Sequence, residues 1–173
     1  MPATTILLAP GASGTVERLA PHAAGLRARG LAVTLVPLPR GPAERAVPVY
    51  RAAREAHAQA GTVIGGHSFG GRVASLLAAE APPAGLVLLS YPLHAPGRQT
   101  AWDERTTHWP RIRCPVLVLS GESDPFARID PLHRAVERLP DPTLVTYPGV
   151  GHGLASVLDD ALDRIGRFVA ERT

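Results

Sequence analysis

The sequence predicts an α/β fold, a single domain over residues 1–173 with about six mainly parallel strands and helices on both faces. Three observations carry this. Short runs of Ile, Leu and Val alternate from end to end with longer Ala/Leu/Arg/Glu segments. The apolar runs are continuous, as strands buried on both faces require. Strand–helix alternation closes through right-handed crossovers, which sets successive strands parallel. The length of 173 residues suits one domain with a full core and is short for two.

The first strand is "TTILLAP" (4–10), running into a glycine turn. A helix over 15–29 follows, with Val16, Leu19, Ala20, Ala23 and Leu26 on one face and Gly30 as its C-terminal stop. The second strand is "LAVTLVPLP" (31–39), and helical spacing resumes over 46–60. "TVIGG" (62–66) is the third strand, leading into a helix over 69–80. "AGLVLLSYP" (84–92) and "PVLVLSG" (115–121) are the fourth and fifth strands. Between them "HAPGRQTAWDERTTHWPRIR" (94–113) has no periodicity, and unpatterned loops of that length are more often functional than structural. A helix over 130–139, the strand "TLVTYP" (143–148) and a helix over 154–171 complete the chain. In the last helix Leu154, Val157, Leu158, Ala161, Leu162, Ile165, Phe168 and Val169 recur at steps of three and four, opposite Asp159, Asp160, Asp163, Arg164 and Arg167.

Composition excludes several function classes. The formal charge is +3, yet there is no Lys and no Asn, and the arginines are scattered near acidic residues. That bias is what a G- and C-rich coding sequence produces. No basic run with interleaved aromatics occurs, so nucleic acid is not an expected partner. Cys114 is the sole cysteine, so no internal disulfide forms, and its place before "PVLVLS" suits a packed thiol. The opening "MPATTILLAPGASG" lacks a basic region and reads as a strand rather than a signal peptide. No uncharged apolar segment approaches the ~18 residues of a membrane span. No His/Cys/Asp cluster has metal-ligand spacing, and no glycine loop fits a phosphate or dinucleotide fingerprint, so no metal or cofactor is expected. The expected compartment is the cytoplasm.

In parallel sheets, ligands bind beyond the carboxyl ends of the strands. The polar residues just past the apolar runs include Ser68, Asp124 and His152, in that chain order. Gly66-His67-Ser68-Phe69-Gly70 fits G-x-S-x-G between a strand and a helix. To lift a hydroxyl above the sheet, the serine must occupy a sharp, strained turn. Residues two before and two after it then pass too close to neighbouring backbone to carry a Cβ. A serine hydroxyl needs a base to become a nucleophile, and His152 in "YPGVGHG" has unhindered glycines on both sides. The imidazole in turn needs a carboxylate to fix its tautomer. Asp124 in "SGESDPF" follows the fifth strand, where Pro125 stops it, and Glu122 is the rival acid. A tetrahedral intermediate also needs two N–H donors. These are expected from Phe69, directly after the serine, and from Ala12 in "APGASG". Ser90 and Ser120 also end strands but lack a glycine frame.

With "LLAPGASG", "GGHSFGGRVAS", "SYPLHAPGR", "RIRCPVLVLSGESDPF" and "YPGVGHG", the chain resembles the α/β-hydrolase superfamily over essentially its whole length. Within it, the chain is similar to the compact dienelactone-hydrolase-like branch. "SYPLH" and "GESDPF" also resemble a family of short bacterial hydrolase-like proteins whose larger eukaryotic relatives include chromatin-complex subunits. The resemblance implies Ser68 as nucleophile, Asp124 as acid and His152 as base. The chain departs from the pattern in three places. Pro10-Gly11 stands where the superfamily commonly has His-Gly. The hairpin that usually precedes the first strand is absent, which leaves 31–36 as an edge that Pro37 and Pro39 partly blunt. Ser68 stands where dienelactone hydrolases carry cysteine, so their substrate does not transfer.

The segment 92–113 is too short for a helical cap domain. An open, shallow site is therefore expected, formed by Phe69, Leu93, Trp102, Trp109, Phe126 and Leu154 and suited to small acyl groups. The expected activity is hydrolysis of a small carboxylic ester or thioester through an acyl-serine. Two alternatives stay open, a hydrolase-like scaffold that binds a protein partner and acyl transfer by the same residues. A monomer or homodimer is expected, with a small-molecule ester as partner.

Overall fold

The computed structural model describes residues 5–13, 15–57 and 61–172. Six strands, β1 (Thr5–Ala9), β2 (Ala32–Leu35), β3 (Val63–His67), β4 (Gly85–Leu89), β5 (Val116–Gly121) and β6 (Pro142–Tyr147), form one sheet. Their order is β2-β1-β3-β4-β5-β6, and every pairing is parallel. Each strand sends alternate side chains to opposite faces. Leu7, Ile64, Leu86, Leu88, Val116 and Val118 enter one core with α2 (Ala43–Ala56), α3 (Phe69–Glu80) and α4 (Ile129–Val136). Ile6, Leu8, Val63, Val87, Leu89 and Leu117 enter the other with α1 (Ala20–Ala28) and α5 (Leu158–Ala170). Two apolar faces explain the continuous apolar runs, and they make the single-domain α/β-hydrolase architecture expected from the sequence.

The elements are shorter than the sequence patterns at several ends. β2 stops at Leu35; Val36 still donates to the Leu8 carbonyl at 2.9 Å, but Pro37 and Pro39 have no N–H to extend the ladder. It is an edge strand, as expected. The segment expected as one helix over 15–29 opens with a 3₁₀ turn at Val16–Leu19, and α1 begins only after it. α2 starts at Ala43, three residues early, because Pro42 caps it. The last residues expected in it, 58–60, lie outside the described residues. In α2, Tyr50 is wholly buried, and its hydroxyl meets the carbonyls of Leu7 and Gly65 at 2.9 and 2.6 Å. It also accepts the Gly65 N–H at 3.0 Å, which ties the helix to β1 and β3 below the site.

The aperiodic segment between β4 and β5 holds two 3₁₀ turns, Gln99–Ala101 and Trp109–Arg111, and no cap domain. It is pinned rather than loose. Trp109 is fully buried with its ring edge against Tyr91, centroids 4.9 Å apart. His108 Nε2 lies 2.7 Å from Ser75 Oγ, whose own proton goes to the Arg72 carbonyl at 2.8 Å, so the histidine donates. Arg138 stacks over Trp102 at 4.7 Å. Cys114 is buried, and burial pushes its thiol up to about 11, as a packed thiol should be.

Candidate active site

Three loops at the carboxyl ends of β3, β5 and β6 bring Ser68, Asp124 and His152 together. Ser68 sits between β3 and α3 with φ 50° and ψ −115°, a left-handed conformation that costs a non-glycine residue on the order of 1–3 kcal/mol. The turn is held by the Ser68 N–H donating to the Leu89 carbonyl at 2.8 Å and by the Arg72 N–H donating to the Ser68 carbonyl at 3.1 Å. A Cβ at Gly66 would lie 2.4 Å from the Gly70 carbonyl carbon, and one at Gly70 would lie 2.2 Å from the Ala9 oxygen. Both obstacles are backbone and cannot rotate away, which is why the frame reads as glycine.

His152 follows β6 and is fastened to the loop after β5. Ser123 donates to the Val150 carbonyl at 2.9 Å, and a Cβ at Gly121 would lie 2.1 Å from the same oxygen. The imidazole leans on Phe126, with ring centroids 4.6 Å apart. His67 Nε2–H donates to the His152 carbonyl at 3.1 Å, so the residue before Ser68 braces this loop. Burial lowers the His67 pKa, which keeps that ring neutral.

Asp124 has no solvent exposure. Its Oδ1 accepts the Phe126 N–H at 2.8 Å, and its Oδ2 lies 2.8 Å from His152 Nδ1. A carboxylate can only accept, so Nδ1 carries the proton and Nε2 presents a lone pair. That Nε2 lies 2.9 Å from Ser68 Oγ. The rival acid, Glu122, instead accepts the Thr146 hydroxyl at 2.8 Å.

Beside Ser68 opens a cleft of about 770 Å³. Ala12, Phe69, Phe126 and Leu154 line it. The N–H groups of Ala12 and Phe69 have no backbone acceptor among the described residues, Phe69 because it opens α3, where the first N–H groups are left free. Three residues expected on this wall are elsewhere. Leu93 and Trp109 are fully buried, and Trp102 packs against that same core beneath Arg138. The segment folds down onto α3 and buries its aromatic rings instead of holding them over Ser68. Arg18, His22, Arg72 and Arg105 stand on the wall, although the sequence reading gave none of them a substrate contact. Burial lowers the His22 pKa to about 4, with help from His67, so the ring is neutral. Ser90, set aside in the sequence for want of a glycine frame, is the other non-glycine residue at positive φ (49°) among the described residues. It is wholly buried and cannot meet a substrate. Among the described residues no group of three His, Cys, Asp or Glu could hold a metal ion, and no helix is long and apolar enough to cross a membrane.

Comparison with known proteins agrees with this architecture. The chain is 36% identical over 127 residues to an uncharacterized protein of Mycobacterium tuberculosis, a match covering 61% of this chain and 43% of that one. The chain thus spans under half the length of the curated relatives it matches. A monoacylglycerol lipase of Paleococcus ferrophilus superposes with a TM-score of 0.85 at 16% identity, covering 98% of this chain and 95% of the other. The enol-lactonase of Burkholderia xenovorans LB400 does so at 0.81 and 14% identity, covering 98% and 92%. At such identities the likeness is one of fold. Residues 42–157 match the family model described as the alpha/beta hydrolase domain, and the chain belongs to that family.

Proposed function

We propose that this chain is a serine hydrolase that cleaves small carboxylic esters or thioesters through an acyl-serine. The observation that carries the reading is the unbroken hydrogen-bond chain Ser68–His152–Asp124, at 2.9 and 2.8 Å, opening on a cleft. Ser68 Oγ gives its proton to His152 Nε2 as it bonds to the acyl carbon. Buried Asp124 stabilises the imidazolium that forms. The N–H groups of Ala12 and Phe69 receive the oxyanion, at the positive end of α3. His152 returns the proton to the leaving alcohol or thiol as the carbon–leaving-group bond breaks. Water, deprotonated by the same imidazole, then releases the acid and restores Ser68.

A binding scaffold has no use for a strained Ser68 with its glycine frame, which favours the enzyme over that reading. The bare six-stranded sheet without a cap supports placement in the compact dienelactone-hydrolase-like branch. The same reading puts the reaction in the cytoplasm, in a monomer or homodimer. A fluorophosphonate probe and short 4-nitrophenyl esters test it, with Ser68→Ala alongside. Labelling and turnover that vanish in the variant are expected. An unlabelled, inactive wild type sinks the hydrolase reading, and activity that survives in Ser68→Ala sinks the assignment of the nucleophile.

A further inference from the structure

The cleft wall carries charge of one sign. Arg18, Arg72 and Arg105 reach it and no Asp or Glu does, since Asp124 is buried behind His152. With 18 basic and 15 acidic residues in the chain, composition alone does not explain that. Some arginines elsewhere are neutralised at close range, Arg29 by Asp159 and Asp163, Arg51 by Glu80 and Arg164 by Asp160, but many of the described ones on the outer surface are not, so what sets the cleft apart is the gathering of three on one wall. Arg72 has only Glu44 at 3.7 Å, a carboxylate largely in solvent. Arg105 and Arg18 have no carboxylate within ion-pair distance among the described residues.

Two of these cations are placed by rigid parts of the fold. Arg72 lies in the first turn of α3, four residues beyond Ser68, and both line the cleft. Arg105 donates from Nη1 to the Pro92 carbonyl at 3.0 Å, and its own carbonyl accepts the hydroxyl of fully buried Tyr91 at 2.6 Å. That anchor uses one of the five N–H donors of the guanidinium. Both side chains line the same cleft, and burial together with the nearby Arg72 cation lowers the Arg105 pKa. An arginine stays charged through such a shift. Two like charges on one wall, partly out of water and with only a solvent-exposed carboxylate 3.7 Å from one of them, are poised for an oxyanion that bonds to both.

We infer that the cleft selects esters bearing a second, anionic oxyanion group, a carboxylate or a phosphate, held by Arg72 and Arg105 while the ester carbonyl lies at Ser68. This rests on the hydrolase reading above. Arg18, across the cleft, adds to the field that draws such substrates in.

The test compares kcat/KM for mono-4-nitrophenyl glutarate and 4-nitrophenyl pentanoate, which share leaving group and chain length, at low ionic strength. The anionic ester is expected to be preferred by roughly ten- to a hundredfold, the range of charged hydrogen bonds. In Arg72→Gln and in Arg105→Gln that ratio falls toward one, Arg105→Lys keeps part of it, and Arg164→Gln on the far surface leaves it unchanged. Competitive inhibition by glutarate against inorganic phosphate tells which oxyanion is taken. A wild-type ratio at or below one, or a ratio unmoved in both glutamine variants, overturns the inference while leaving Ser68-dependent turnover intact. If neither ester is hydrolysed, the hydrolase reading has failed and the oxyanion site is judged by thermal shift with glutarate and with phosphate. Stabilisation lost in Arg105→Gln supports it, and no stabilisation by either anion overturns it.

Discussion

Asp124→Asn removes one charge and almost no volume at a position with no solvent exposure. The amide oxygen can keep the Phe126 N–H bond made at 2.8 Å. The amide nitrogen then takes the place of Oδ2, 2.8 Å from His152 Nδ1, and it is a donor. Two donors cannot share that contact, so the neutral imidazole moves its proton to Nε2, the atom 2.9 Å from Ser68 Oγ. Nε2 then cannot accept the serine proton, and the imidazolium loses its buried counter-charge. Together these should lower kcat about a thousand- to ten-thousandfold, or about 4 to 5.5 kcal/mol in activation free energy. The assay is turnover of 4-nitrophenyl acetate near pH 8, with circular dichroism and a thermal melt showing that the variant is folded. KM should change little, because Asp124 lies behind His152 and off the cleft wall. A folded Asp124→Asn protein within tenfold of wild-type kcat would refute the reasoning and remove Asp124 from the mechanism.

Glu122→Gln should leave kcat within about threefold, because its carboxylate pairs with Thr146 and one neutral hydrogen bond replaces another; a collapse of turnover would make it the working acid. Gly70→Ala should destabilise by about 3 kcal/mol, since the new Cβ would meet the Ala9 and Pro10 backbone at 2.2 to 2.6 Å. At this chain length that is a melting point about 6 to 12 °C lower, and an unchanged melt would contradict the packing described. Buried His108 has its pKa lowered from 6.5 to about 4, so below pH 6.5 the unfolded chain takes up a proton that the folded chain refuses. The stability it lends is complete above 6.5 and declines as pH falls toward 4, by about 3 kcal/mol from this residue. Urea midpoints at pH 7.5 and 4.5 should show that decline, less steeply in His108→Gln, and equal slopes in the two proteins would refute it.

What could be read in advance, and what could not, divides along physical lines. The strands were legible because burial on two faces writes itself as unbroken apolar runs, and Leu86 to Leu89 alternate between cores in just that way. Ser68 was legible because a strained turn under close backbone contact admits only glycine at 66 and 70. Asp124 was legible as the acid, with Glu122 as its rival because both follow β5, and the fold shows that Asp124 is the one facing His152 while Glu122 pairs with Thr146. The cleft wall was misread where a tryptophan can serve either a core or a site. Trp109 takes the core because Tyr91 offers its ring edge an enclosed partner, and the chain around it follows. That burial has a consequence for the chemistry. With Trp109 buried and His108 bonded to Ser75 of α3, the segment leaves Pro92 and Arg105 on the cleft wall. An aromatic expected on the wall thus goes to the core, and a cation held by Pro92 and Tyr91 stands there instead. No periodicity encodes that exchange, because it depends on which of Trp102, Arg105 and Trp109 the rest of the sheet can enclose.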